Sequence, residues 1–279
     1  MLVDRSTLLS PFRYPGGKSW LIPRVIAWLT PKNPPLDVFI EPFSGGCSIG
    51  LAVAKEELAG QVILVETDDR VAAVWRTILY GDWEWLVSRI STFSLTHESV
   101  NTELEKAPAT LEEKAFQTLL RNRVSHGGKL APGSGLLKNG EAGRGLESRW
   151  YPNTLRKRIE AIVGMRDRLV FLECDGMNVL REHAKDSRAA FFIDPPYTAS
   201  GNRPGTRLYR NNHLDHEELF RIVKTLQGDF LMTYSSDSQI RGLAAKNGLQ
   251  VREIQMRNTR HVEQQEFLIG RDLGWFDPR

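Results

Sequence analysis

Ala189-Ala190-Phe191-Phe192-Ile193-Asp194-Pro195-Pro196-Tyr197 is an unbroken apolar run that stops on an acid, two prolines and an aromatic ring. A short continuous run without polar alternation reads as a strand buried on both faces, as in a parallel sheet. The tetrapeptide 194–197 then lies at the strand's carboxyl end, the edge where open α/β sheets bind ligands. A carboxylate, two rigid prolines and an aromatic face suit one task there. They can hold a planar amino group by its hydrogens and its face while its nitrogen is attacked.

The pattern recurs on both sides of this run. Strands are expected at 38–41, 62–66, 169–174, 189–194, 230–234, 251–256 and 266–269. Helical faces lie between them: Leu21, Val25, Ile26 and Leu29; then Val71, Val74, Trp75, Ile78 and Leu79; then Leu219, Ile222, Val223 and Leu226, with Asp215 as N-cap. Such alternation predicts an α/β fold, a doubly wound, mostly parallel sheet of seven strands. The last two strands are joined only by a link containing Asn258 and Thr259, and are expected as an antiparallel hairpin at the sheet edge.

From about 83 to 166 the alternation stops. Leu111, Ala115, Phe116, Leu119 and Leu120, then Leu155, Ile159 and Ile162, make helical faces without a strand between them. Gly127, Gly128, Gly133, Gly135, Gly140, Gly143 and Gly145 are interleaved with Lys129, Lys138 and Arg144, which reads as a basic loop on a helical insertion. The expected division is a sheet domain of 1–82 and 167–279, with 83–166 inserted.

The chain has 279 residues, enough for one large domain plus an insertion. No apolar stretch approaches the ~20 residues of a membrane span, and the first ten residues lack the apolar core of a signal peptide. Two cysteines, Cys47 and Cys174, cannot make a disulfide framework or a zinc site alone, so a reducing cytoplasm is expected and no metal. The net charge of +3 does not mark a polyanion binder, but its distribution does. Residues 114–158 hold ten Lys/Arg against Glu141 and Glu147, a net charge of about +8 on a body of about −5. That is the footprint of phosphate contact, with a solvated basic surface as the plainer alternative.

Three further stretches carry chemistry. Phe39-Ile40-Glu41-Pro42-Phe43-Ser44-Gly45-Gly46-Cys47-Ser48-Ile49-Gly50 reads as strand, glycine turn and helix start, where backbone approaches a ligand and amides are free. Its spacing is not that of the dinucleotide fingerprint. Glu66, some twenty residues on, can accept ribose hydroxyls, with Asp68 and Asp69 as competitors and a helix cap as the bland reading. Phe12-Arg13-Tyr14-Pro15-Gly16-Gly17-Lys18-Ser19 lacks the first glycine of a phosphate loop and a preceding strand, yet a Gly-Gly-Lys turn beside an aromatic can hold a carboxylate.

Taken in order, Tyr-Pro-Gly-Gly-Lys, Glu-Pro-Phe-Ser-Gly-Gly, a strand-end acid and Asp-Pro-Pro-Tyr resemble the Dam-like (alpha-class) S-adenosylmethionine-dependent DNA adenine N6-methyltransferases, over roughly residues 11–270. The resemblance implies a Rossmann-like methyltransferase sheet with a helical target-recognition insertion, and S-adenosyl-L-methionine as cofactor. It puts Tyr14, Gly17 and Lys18 at the cofactor's methionine moiety. Phe43, Gly45 and Gly46 fall on its glycine turn, Glu66 at its ribose (commonly Asp in the family) and Asp175 at its adenine. Asp194 also borders the cofactor. Gly176 stands where a bulkier side chain is common. Ser235 and Ser236 would help to shape the target pocket.

Catalysis is expected from Asp194, Pro195, Pro196 and Tyr197. Tyr197 would stack on a flipped adenine, while the Asp194 carboxylate and Pro195 carbonyl accept the N6 hydrogens. Arg121, Arg123, Lys129, Lys138, Arg144 and Arg149 are the candidate DNA contacts. The family's GATC readers carry Gly-Tyr-Asn-Gly after the arginine. Here Val124-Ser125-His126-Gly127-Gly128 stands instead, so GATC is not inferred and His126 reads as a surface histidine. The implied partner is double-stranded DNA, with a separate cognate restriction endonuclease as a candidate. A monomer or weak dimer is expected, near the nucleoid and away from membranes. The alternatives are an amino-methyltransferase of the same fold acting on RNA or cytosine N4, and a silent nucleic-acid-binding relative. Cytosine N4 enzymes usually carry Ser where Asp194 stands.

Overall fold

The computed structural model describes residues 8–13, 17–32, 34–128, 130, 135–137, 143–196, 214–257 and 263–276, with 256, 257, 263 and 264 by backbone alone. Seven strands form one sheet: β1 (Leu36–Glu41), β2 (Ala59–Val65), β3 (Leu169–Leu172), β4 (Ala189–Ile193), β5 (Asp229–Ser235), β6 (Gln250–Arg257) and β7 (Glu263–Gly270). Their order is β3-β2-β1-β4-β5-β7-β6. The first five run parallel, and β7 runs antiparallel to both β5 and β6. All seven expected strands are present.

The edge differs in one respect. β6 is the edge strand, whereas β7 lies inside the sheet. Phe267, Leu268 and Ile269 of β7 are fully buried, while Arg252, Glu253 and Gln255 of β6 are exposed. The more apolar member of the pair takes the interior, and the charged one blunts the edge. The link holding Asn258 and Thr259 lies outside the described residues.

Helices cover both faces. On one lie α1 (Ile22–Leu29), α2 (Ser48–Lys55) and α3 (Asp69–Tyr80), packed on Phe39, Val62, Leu64, Ala190 and Phe192. Helices α4 (Trp83–Thr92), α5 (His97–Glu105), α6 (Leu111–Val124) and α7 (Pro152–Val163) add to the same apolar core, α6 lying against α3. On the opposite face α8 (Gly176–Glu182), α9 (His216–Thr225) and α10 (Ser238–Lys246) cover Ile40, Ile63, Phe191, Ile193 and Met232. Neighbouring residues of a strand point to opposite faces, so continuous apolar strands fill both layers. Asp215 caps α9, its carboxylate accepting the Glu218 amide at 2.9 Å.

The helices α4 and α5 had no counterpart among the expected faces. Each begins at a polar cap, Asp82 accepting from the Trp85 amide and Thr96 in a capping box with Ser99, ahead of only two buried residues per helix. Within 83–166 the sole β contact among the described residues is the Ser125–Leu136 bridge. Among the described residues no helix is long and apolar enough to cross a membrane.

Candidate active site

The carboxyl ends of β1, β2 and β4, with the loop after β3, meet at one edge of the sheet, and each carries an acid: Glu41, Glu66, Asp194 and Asp175. Asp194 follows β4 and is anchored through both oxygens. Thr233 of β5 donates its hydroxyl to Oδ1 at 2.7 Å, and Lys18 Nζ lies 3.0 Å from Oδ2. Lys18 Nζ also lies 3.5 Å from Glu266 Oε1 of β7. Lys18 thus holds two carboxylates, and they are the chain's own. Burial alone would lower the pKa of Lys18. Asp194 and Glu266 more than reverse that and hold it above its ordinary value.

Thr233 and Glu266 were invisible in sequence. They sit on neighbouring antiparallel strands, and the register that pairs Ser235 with Glu266 puts them on one sheet face. On the other face Tyr234 is buried, its hydroxyl 3.0 Å from His216 Nδ1. Burial pushes the Tyr234 hydroxyl's pKa up, with Asp194 adding to it, and pulls the His216 imidazole's down. Ser235 closes β5, and the Ser236 amide bonds the Gln265 carbonyl at 3.3 Å.

The glycine turn after β1 is tied down on every side. Ser44 donates its hydroxyl to the Glu41 carbonyl at 2.6 Å and accepts the Val65 amide at 2.7 Å. Gly45 takes φ +48°, which suits glycine. Its carbonyl accepts the Trp75 indole N–H at 3.0 Å, and its amide donates to Glu66 Oε2 at 3.1 Å. Gly50 has a different duty from the one its place in a glycine-rich stretch suggests. It lies inside α2, where an added Cβ would come within 2.7 Å of Glu41 Oε2 and 2.4 Å of Leu64 Cδ2. Its amide is not free for a ligand, because it donates to Glu41 Oε2 at 2.7 Å. Burial raises the pKa of Glu41 to about 8, the Gly50 amide opposing and the Asp194 charge adding.

Glu66 is the strand-end acid that faces the glycine turn. Its competitors are engaged elsewhere: Asp68 caps α3 and pairs with Arg70 at 2.6 Å, and Asp69 pairs with Lys114 at 2.6 Å. Besides the Gly45 amide, Glu66 accepts those of Thr67 at 2.7 Å and Asp68 at 2.9 Å, both on Oε1. Three of its roughly four acceptor positions are filled, leaving one on Oε2. Burial raises its pKa, and these amides oppose the rise. Asp175 is exposed and caps α8 through the Met177 amide at 2.9 Å. Gly176 has a steric reason to be glycine: a Cβ there would meet the Pro42 carbonyl at 2.0 Å. The start of α8 is pressed on the entry to the glycine turn. Tyr14 and Tyr197 lie outside the described residues.

A family model described as D12 class N6 adenine-specific DNA methyltransferase matches residues 14–259. The chain belongs to this family. It is therefore an adenine N6 DNA methyltransferase by descent, and the tetrapeptide at the end of β4 is read in that light. The solved structures that match it do so at low identity. The rRNA methyltransferase from Streptomyces viridochromogenes is 13% identical, over 96% of this chain and 93% of that one, with TM-score 0.40. Precorrin-6y C5,15-methyltransferase from Geobacter metallireducens is 9% identical, over 88% and 85%, with TM-score 0.35. No curated relative matches the chain.

In this methyltransferase the candidate DNA-contacting arginines divide by burial. Arg144 is exposed and Arg149 half-buried. Arg121 is half-buried, its pKa lowered by burial and by nearby Arg70. Arg123 is 3% exposed and donates to the Pro11 carbonyl. Burial, then Arg158 and Arg13, lower its pKa to about 9. A guanidinium so enclosed reaches no DNA groove as it stands, so its role here is internal. Lys129 and Lys138 lie outside the described residues, and His126 is exposed.

Proposed function

We propose that the protein transfers a methyl group to N6 of an adenine flipped out of double-stranded DNA at a specific sequence. The observation that carries the reading is Asp194 at the end of β4, oriented by Thr233 on one oxygen and Lys18 on the other. The N6 amine is a poor nucleophile because its lone pair is delocalised into the ring. A fixed carboxylate and the adjacent Pro195 carbonyl can accept its two hydrogens and turn the lone pair outward. Orientation and charge placement then supply most of the acceleration. Tyr197 is assigned to stack on the base.

The edge fits S-adenosylmethionine by its donors and acceptors. Glu66 keeps one acceptor position for a ribose hydroxyl, and the exposed Asp175 stands one strand further out for the adenine. Gly45, Gly46 and Phe43, on the turn after β1, are assigned to border the cofactor as well. When bound, the cofactor supplies a sulfonium methyl already activated for transfer. Asp194 need not be a strong base, because an N-methylated ammonium loses its proton readily. The inserted residues 83–166 are assigned to target reading.

Incubation with labelled S-adenosylmethionine and unmethylated DNA tests the reading: label is expected as N6-methyladenine. Label in cytosine or in RNA, with none in adenine, refutes it. Methylation-sensitive sequencing of DNA from an expressing host gives the motif.

A further inference from the structure

Glu266 is the member of the site that no motif announces. Because β7 runs antiparallel, its first half lies at the edge where β4 and β5 end, opposite Ser235. The Glu266 side chain is 7% exposed. Its Oε1 lies 3.5 Å from Lys18 Nζ, and its Oε2 is buried with no hydrogen-bond partner. The charged group facing it from the turn before α1 is Lys18, and from the end of β4 it is Asp194. Around Asp194 stand Thr233 and Tyr234 of β5, and Glu41 of β1 feels the same charge.

We propose that Glu266 is an electrostatic positioning residue for methyl transfer: ionised, it shares the Lys18 ammonium with Asp194 and leaves the trio one net negative charge beside the attacked amine. The proposal rests on the function assigned above. With Glu266 protonated, Lys18 and Asp194 cancel, and Asp194 faces the amine as half of a neutral pair. Transfer moves positive charge from the donor sulfur to N6, so a preorganised negative charge there stabilises the transition state more than the ground state. Geometry places the switch, and burial tunes it. Desolvation raises the pKa of Glu266 to about 7, Lys18 opposing and Asp194 adding. The trio therefore changes charge near neutral pH, losing its negative charge as pH falls.

Two measurements test this. The first is the single-turnover transfer rate between pH 5.5 and 9, with cofactor affinity measured in parallel. Wild type is expected to lose rate on the acid side with a midpoint near 7. Glu266→Gln is expected to be about tenfold slower at high pH and to lack that limb, with cofactor affinity changed by less than about threefold. Glu266→Asp should restore the limb in part. The second is carbon NMR of glutamate-labelled protein, in which the Glu266 carboxyl is assigned by its loss in Glu266→Gln. It should titrate well above ordinary glutamates, and Asp194→Asn should lower its midpoint by removing a like charge. A Glu266→Gln enzyme with wild-type rate and acid limb overturns the proposal. So does a Glu266 resonance titrating in the ordinary range, or one unmoved by Asp194→Asn. Wild-type protein that methylates no adenine refutes the function above, and the NMR titration reads the trio independently of that failure.

Discussion

Asp194 is held by two donors of different kind, and the difference predicts what its loss does. Asp194→Ala removes the acceptor for N6 while leaving Glu66, Asp175 and the glycine turn in place. Transfer is expected to fall by at least ~10²-fold with cofactor affinity changed only a few-fold, checked by single-turnover rates and calorimetry. Glu41 predicts a stability effect. Its folded pKa of about 8 lies above the unfolded value, so the fold keeps a proton that the unfolded chain has lost. That contribution is full below the unfolded pKa, near 4.5, and is lost as pH rises towards 8. The slope approaches about 1.4 kcal/mol per pH unit. Denaturant unfolding of Glu41→Gln at pH 5 to 8 should show a shallower decline than wild type, and parallel curves would refute it. The acid after β4 and the lysine turn were legible because each has a fixed local setting: a strand end, a Gly-Gly-Lys turn. Thr233 and Glu266 were not: the parallel pairing of β5 with β4 brings the first beside Asp194, the entry of β7 beside β5 brings the second, and no local pattern records either neighbour.

At the scale of elements, the parallel strands and their covering helices followed from apolar runs and helical spacing, while α4 and α5 escaped because each buries only two residues. Two contacts between elements predict measurable costs. Gly176 brings the start of α8 onto the Pro42 carbonyl, and backbone cannot yield as a side chain can. Gly176→Ala is expected to destabilise by roughly 1–3 kcal/mol and to weaken cofactor binding, since the displaced segment enters the glycine turn. Phe116 of α6 is fully buried, edge-on to Phe93 at 5.2 Å and to Trp150 at 6.3 Å. Phe116→Ala should cost about 3–5 kcal/mol in chemical denaturation. A loss under 1 kcal/mol would mean that the inserted helices collapse around the gap.

Across the whole molecule, α6 and α7 and the chain's first described segment are tied into one packed unit. Fully buried Asn122 of α6 accepts the Arg13 amide at 2.8 Å and donates to the Arg13 carbonyl at 3.1 Å and the Gly128 carbonyl at 2.7 Å. Arg123 holds the Pro11 carbonyl, and Arg158 of α7 holds that of Ser10 at 2.7 Å. Charge counting found the basic stretch but could not sort its arginines, because burial is a tertiary property. The sorting predicts two outcomes. Arg144→Ala should weaken DNA binding about equally across sequences and reduce the salt slope of log K by about 1. Arg123→Ala should instead lower the unfolding midpoint. Binding isotherms over a salt series and a melt distinguish them, and the reverse pattern would refute the assignment.

The place of β7 bears on when the protein can act. Synthesis proceeds from the amino terminus, so Lys18 and Asp194 emerge well before Glu266. Until β7 has entered the sheet between β5 and β6, β5 lacks its antiparallel neighbour and the lysine lacks its second carboxylate. A nascent or prematurely terminated chain carries every sequence motif of the family and still lacks the finished site.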